Sequence, residues 1–205
     1  MALATYTELK TAIADFLNRD DLTSIIPTFI QLAEAQINRD LRHWNMELRS
    51  TAAQSTQYGA VPSDWLETIR ISVNGSSGGR LQLVSKADIE GMRNLNNDAG
   101  GTPKYYAHFG GQFEFYPTPS EEVTIDLLYY GKVPDLAANE TSWLLTDAPD
   151  VYLYGSLLHT APYLQDDARL NVWAQMYSAA VQRLNDTSDK GKWSGTGLKM
   201  KLRGL

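Results

Sequence analysis

The stretch DARLNVWAQMYSAAVQRL, Asp167 to Leu184, decides how this chain is built. Leu170, Trp173, Tyr177, Val181 and Leu184 recur at steps of three, four, four and three, which puts them along one side of an α-helix. A seam carrying a tryptophan and a tyrosine needs a partner helix. Working upstream, SWLLTDAPDVYLYGSLLHTAPYLQDD, Ser142 to Asp167, predicts that partner. Asp147 is placed to cap a helix with Pro149 in its first turn and Asp150 favouring its positive end, and Val151, Tyr154, Leu158 and Ala161 form its face. Pro162 kinks or stops the helix, and Asp166 or Asp167 caps the next.

The N-terminus supplies the matching pair. Thr5 followed by Glu8 is a capping-box pattern, and Leu9, Ile13, Phe16 and Leu17 predict a first helix over Tyr6–Asn18. After the turn NRDDLTS, Ile26, Phe29, Ile30, Ala33, Ile37 and Leu41 predict a second that ends near His43, with Pro27 tolerated in its first turn. Between the two helical regions the texture changes. ETIRISVNGSSGGRLQLV reads as a hairpin around a Gly/Ser loop, PKYYAHFGGQFEFYPTP as a second hairpin turning at Gly110 and Gly111, and EEVTIDLLYYGKV as a further strand. A short helix near Lys86–Arg93 interrupts them.

The expected fold is therefore α+β: a four-helix bundle made from the N- and C-terminal helices, with an inserted small antiparallel β domain and an extended C-terminal tail. The expected boundaries are 1–45 for the N-terminal helical hairpin, 46–135 for the β-rich insertion, 136–185 for the C-terminal helices and 186–205 for the tail.

Composition narrows the function. The chain has 205 residues, 43% of them hydrophobic and 20% charged, enough for a sizeable core. With no cysteine, disulfides, thiolate nucleophiles and cysteine metal sites are excluded together. No apolar run approaches the roughly 20 residues that cross a bilayer, and MALATYTELK lacks the features of a signal peptide, so a soluble, unexported protein with no membrane partner is expected. The net charge of −6 argues against duplex binding. Residues 186–205 hold five basic side chains against two acidic ones, a net +3, which leaves −9 on the rest. Tail and body are electrically complementary.

Chemistry is sparse. His43, His108 and His159 fall in different elements with no metal-binding spacing, so neither a metal nor any other cofactor is expected. NGSSGGR lacks the GK[ST] ending of a phosphate loop, and YGSLLH places Ser156 and His159 within a helix rather than at a nucleophile elbow. Glu121 with Glu122, and Asp166 with Asp167, are the carboxylate pairs that a cell-wall-degrading enzyme would need, but adjacent acids in a strand face opposite ways and paired Asp before a helix is capping. Lys190, Lys192 and Trp193 suggest a single-stranded nucleic-acid module, yet one aromatic beside an acidic body is a poor stacking platform. The tail is better read as a peptide that docks on protein. No catalytic residue is expected, and no enzyme.

The stretches IPTFIQLAEAQINRDLR, VPSDWLETIRISVNG and YYGKVPDLAANETSWLLTDAPDVYLYGSLLHTAPYLQDDARLNVWAQMYSAAVQRLN resemble the head-to-tail adaptors of tailed bacteriophages, the group of tail tubular protein A-like connectors. The resemblance spans nearly the whole chain and implies a structural virion protein at the head–tail junction, assembled in the host cytoplasm. It implies a ring, usually of twelve copies, docked under the portal protein, meeting the next tail component (a nozzle, stopper or tail tube) and continuing a channel through which genomic DNA passes without sequence-specific binding. On that reading Trp143, Tyr152 and Tyr154 are the subunit-interface candidates, and Lys190, Lys192, Trp193, Lys199, Lys201 and Arg203 form the portal-docking tail. The hairpin tips NGSSGGR and HFGGQF are the candidates to meet the next component.

Overall fold

A computed structural model describes residues 3–19, 21–74, 79–96, 99–164 and 168–193, the last without the side chain of Trp193. The fold is mixed α+β, with seven α-helices and two small sheets among the described residues, and the chain divides into two compact units. One joins Met1–Asn45 to Val133–Leu205; the other is Met46–Lys132.

In the helical unit, α1 (Tyr6–Leu17) opens on the expected capping box: Glu8 N–H donates to Thr5 Oγ1 (3.2 Å) while Glu8 Oε2 accepts from Thr5 N–H (3.1 Å). It closes on Asn18 in the left-handed conformation, φ 51°. α2 spans Ile26–Asp40 with Pro27 in its first turn and buries Ile26, Phe29, Ile30, Ala33 and Ile37. It stops before His43, where the sequence pattern suggested an end, because Leu41 turns extended and the following residues are bound by side chains from elsewhere.

Two helices of less than two turns were not anticipated: α4 (Leu136–Asn139), capped by Asp135, and α5 (Trp143–Asp147), capped by Ser142 Oγ accepting from Leu145 N–H at 3.1 Å. Asp147 is thus the last residue of α5, not the cap of the next helix. That cap is Ala148, with no side-chain bond, and Pro149 occupies the first turn of α6 (Pro149–Leu158).

α6 is the centre of the unit, packed on by α2, α7 (Arg169–Trp193), α1 and α5. Val151, Tyr152, Leu153, Gly155, Ser156 and Leu157 are all buried. The expected face of Val151, Tyr154, Leu158 and Ala161 is therefore incorrect: Tyr154 and Leu158 are half-buried and Ala161 is exposed. A helix covered on several sides has no single apolar stripe. Gly155 sits where a Cβ would come within 3.4 Å of both Tyr177 and Ala33, so α6 approaches α7 and α2 closely there.

α7 buries Trp173, Tyr177 and Val181, with Leu170 and Leu184 half-buried, as the seam predicted. It does not end at Asn185. Asp186–Trp193 continues the same helix, where an extended tail was expected. Residues 194–205 lie outside the described residues.

The β unit is two facing sheets and a helix. β1 (Glu47–Gln54), β7 (Val123–Gly131) and β3 (Trp65–Val73) form one antiparallel sheet in the order β1-β7-β3; β2 (Tyr58–Ala60), β6 (Gln112–Tyr116), β5 (Tyr105–Phe109) and β4 (Gln82–Leu83) form the other in the order β2-β6-β5-β4. Ile71, Ile125, Leu127 and Tyr129 of the first sheet share a core with Tyr106, Phe113 and Phe115 of the second. On the far side of the second sheet, Ile89 of α3 (Lys86–Leu95) packs on Ala107 and Tyr116. Alternation along β6 divides the two faces, Phe113 and Phe115 to one core and Tyr116 to the other.

The hairpin at Gly110 (φ 54°) and Gly111 (φ 83°) forms as expected, two residues with positive φ in a tight turn. The other expected hairpin does not persist. Ser72 and Arg80 bridge, but β4 then leaves β3 and pairs parallel with β5, so the insertion is not wholly antiparallel. Residues 75–78 of NGSSGGR lie outside the described residues.

Candidate functional site

The end of α2 and the last turns of α7 form one polar seam. Helix C-termini leave carbonyls unsatisfied, and the extended segment after α2 exposes its own N–H groups. α7 supplies partners for both. Tyr177 O–H donates to Asp40 Oδ2 (3.0 Å), Asn185 Nδ2 donates to Asp40 O (3.2 Å), Asn185 Oδ1 accepts from Arg42 N–H (2.9 Å), and Ser188 Oγ accepts from Trp44 N–H (3.0 Å). Ser188 is fully buried. Burial and the Asp40 carboxylate both push the Tyr177 phenol above its ordinary range, so it stays a donor.

An aromatic cluster lies beside this seam. His43, nearly buried, stacks on Trp143 (ring centroids 5.1 Å) and tilts against Trp44 (4.3 Å), while Asn45 N–H donates to its Nδ1 (3.3 Å). Burial holds the imidazole below its ordinary range, with Lys192 acting the same way and Asp147 opposing. A Cβ at Gly191 would overlap the Trp44 ring, so α7 passes close against Trp44 here.

Of the interface candidates, Tyr152 must be corrected. It is completely buried, its hydroxyl within 3.3 Å of Ser142 Oγ, and burial raises its phenol strongly; it belongs to this subunit's own core. Trp143 is half-buried on His43, and Tyr154 is half-buried on α6.

Sequence reasoning missed a different pair. Val172 and Met176, 50% and 49% exposed, lie one turn apart on α7 while Trp173 and Tyr177 beside them are buried. The signal was present: apolar residues at i and i+4, out of phase with the seam.

Among the tail candidates, Lys190 and Lys192 are exposed on the last turns of α7. Trp193 is the last helical residue, and Lys199, Lys201 and Arg203 lie outside the described residues.

No catalytic constellation is assembled among the described residues. Ser156 Oγ and His159 Nε2 are both buried without a hydrogen-bond partner, so they do not form a Ser–His pair. Glu121 and Glu122 sit exposed in the loop before β7, and Asp166 and Asp167 lie outside the described residues. No group of three or more potential metal ligands is found among the described residues, His108 being stacked on Trp65 at 4.7 Å instead. No described helix is long and apolar enough to cross a membrane.

No curated protein matches the chain. A family model does: that of the SU10 adaptor protein, over residues 4–199. This match takes in both units and the helical seam, and an adaptor family points to a structural virion component that contacts other phage head or tail proteins. The chain belongs to the SU10 adaptor protein family, a family of phage head–tail adaptors.

Proposed function

We propose that this chain is the repeating subunit of an adaptor ring of the tail tubular protein A-like kind, about twelve copies, seated beneath the portal and continuing the DNA channel toward the next tail component. The observation that carries this reading is α7. Its inner side completes the subunit's own core through Trp173, Tyr177 and Val181, and its outer side still offers Val172 and Met176. A ring needs two unlike adhesive faces per subunit, and an exposed apolar pair on a rigid helix is suited to one of them. Trp143 and Tyr154 remain candidates for the other.

In this reading α1, α2, α6 and α7 act together as a four-helix body, and Lys190, Lys192, Trp193, Lys199, Lys201 and Arg203 form the docking tail that meets acidic protein surface. The net charge of −6 suits a lumen through which DNA slides, since dense phosphate contacts would hold it. The test is light scattering coupled to size exclusion, on the 22.8 kDa chain alone and mixed with portal. A large, defined complex with portal is expected, lost in the full chain carrying M176E. A chain whose mass is indifferent to portal refutes the proposal.

A further inference from the structure

The two sheets of the β unit are not closed along one side. β1 is an edge strand eight residues long, and among the described residues it pairs with β7 alone. Its inward row is small where its partner's is large: Ser50 lies opposite Leu127 and Ala52 opposite Ile125. Ile125 and Leu127 are buried, whereas Ala52 is exposed. A cleft of about 250 Å³ lies there, lined by Ser50 and Ala52 together with Ile125, Leu127, Phe113 and Phe115. A cavity of about 150 Å³ lined by aliphatic and aromatic side chains already admits benzene, so this one admits aliphatic side chains. Long open edges invite pairing and are normally covered.

The chain contains a segment of matching pattern. Leu198, Met200 and Leu202 alternate strictly with Lys199, Lys201 and Arg203, the period of a strand with one apolar and one charged face. We propose that residues 198–203 of a second copy add as a strand to the open edge of β1, placing Leu198, Met200 and Leu202 in the cleft and turning Lys199, Lys201 and Arg203 outward, where they stay available to the portal's acidic surface. This rests on the ring reading in one respect, the choice of a second copy as the source. A heterologous ring hands one segment from each subunit to the next, which leaves no copy with an uncovered edge. The +3 of residues 186–205 against −9 elsewhere favours association of the segment with the acidic remainder. Lysines on the outer face also stop the new edge from recruiting another strand.

The chain has no cysteine, so introduced pairs report cleanly. Full chains carrying A52C are mixed with full chains carrying L198C, K199C, M200C, K201C or L202C, oxidised in the presence of portal, and separated without reductant. Linked dimers are expected from one even position, the one that falls opposite Ala52, at least about tenfold over either odd one, because only alternate side chains of a strand face the cleft and only the opposite residue is within disulfide reach. Equal linking at all five positions, or linking at none, overturns the proposal. So does a chain carrying both A52C and M200C that links only to itself.

A second arm works without any ring. The full chain carrying L198D, M200D and L202D is given a synthetic peptide of residues 196–205, and exchange of the β1 amides is expected to slow by about tenfold. A peptide that protects β1 while portal binding is absent sinks the adaptor reading and leaves the docking intact. A portal complex with no protection and no linking does the reverse.

Discussion

Gly191 offers a sharp prediction because two opposing effects meet at one atom. Alanine in place of glycine near the end of a helix stabilises by roughly 0.5–1 kcal/mol through propensity alone. At position 191 the new Cβ would overlap the Trp44 ring, which must move away. Trp44 is 40% exposed, so more than half of a side chain that buries on the order of 200 Å² is covered. Uncovering about 60–80 Å² at roughly 25 cal/mol per Å² costs about 1.5–2 kcal/mol. Gly191→Ala is therefore expected to destabilise by about 1 kcal/mol in the native chain, yet to stabilise by about 0.5–1 kcal/mol when Trp44 is already alanine. The coupling, about 1.5–2 kcal/mol, is read from a double-mutant cycle in urea unfolding followed by far-UV dichroism, a probe dominated by the helical unit. Effects that add within about 0.5 kcal/mol in the two backgrounds would refute the docking of α7 on Trp44.

Four further outcomes are expected. Tyr152→Ala should cost the helical unit about 3–5 kcal/mol, as for other buried aromatics, whereas Trp143→Ala should cost less because it is half-buried; thermal melts of the two variants check the order. Met176→Glu should leave the melt of the isolated chain unchanged within about 0.5 kcal/mol while abolishing assembly, a split that scattering and dichroism measure together. Stability should decline as pH falls below about 6.5. Burial, with Lys192 at His43 and Arg39 at His159, lowers both imidazoles in the folded chain, so the unfolded chain takes up protons first. A melting temperature that stays level from pH 7.5 to pH 5.5, or a slope unaltered by His43→Phe, would count against it. Asp126, nearly buried on the first sheet, is held below the usual carboxylate range mainly by hydrogen bonds from Arg49 (2.6 and 2.8 Å), with Arg70 at 3.8 Å adding to it. Its contribution is complete above the ordinary Asp value of about 3.9 and fades on further acidification, so Asp126→Asn should flatten the acid limb of the β unit's unfolding curve.

The elements with one buried face were legible in the sequence. The capping box at Thr5 and Glu8, the stripe of α2, the seam of α7 and the Gly110–Gly111 turn follow local rules, and the structure obeys them. What was not legible depended on neighbours. α6 buries residues on several sides, so Tyr152, read as spare adhesive surface, fills the core. Asn185 and Ser188 follow the last apolar residue of the seam and carry no apolar signal; here they satisfy the backbone that leaves α2, a role visible only once α7 is placed beside Asp40–Trp44. β4 follows β3 closely in sequence, but its hydrogen bonds go to β5, on the far side of α3 in the chain. The exposed pair Val172 and Met176 was hidden by the stronger seam beside it.

The bonds that tie α2 to α7 span 137 to 145 residues of chain. Closing a flexible loop of that length carries an entropic cost that grows as (3/2)RT ln n, about 4 kcal/mol before any constant. The β unit offers a way around it. Its first and last strands are partners, with Glu47 opposite Tyr130, so once that ladder forms, the two places where the chain enters and leaves it are already side by side. The long loop is then replaced by a short one. During synthesis the inserted unit is complete before α7 has emerged, so the order of translation favours it as a template, and the two halves of the helical unit meet as though they were nearly contiguous. A chain whose β1–β7 ladder is weakened should refold its helices slowly, although no helical residue has been changed.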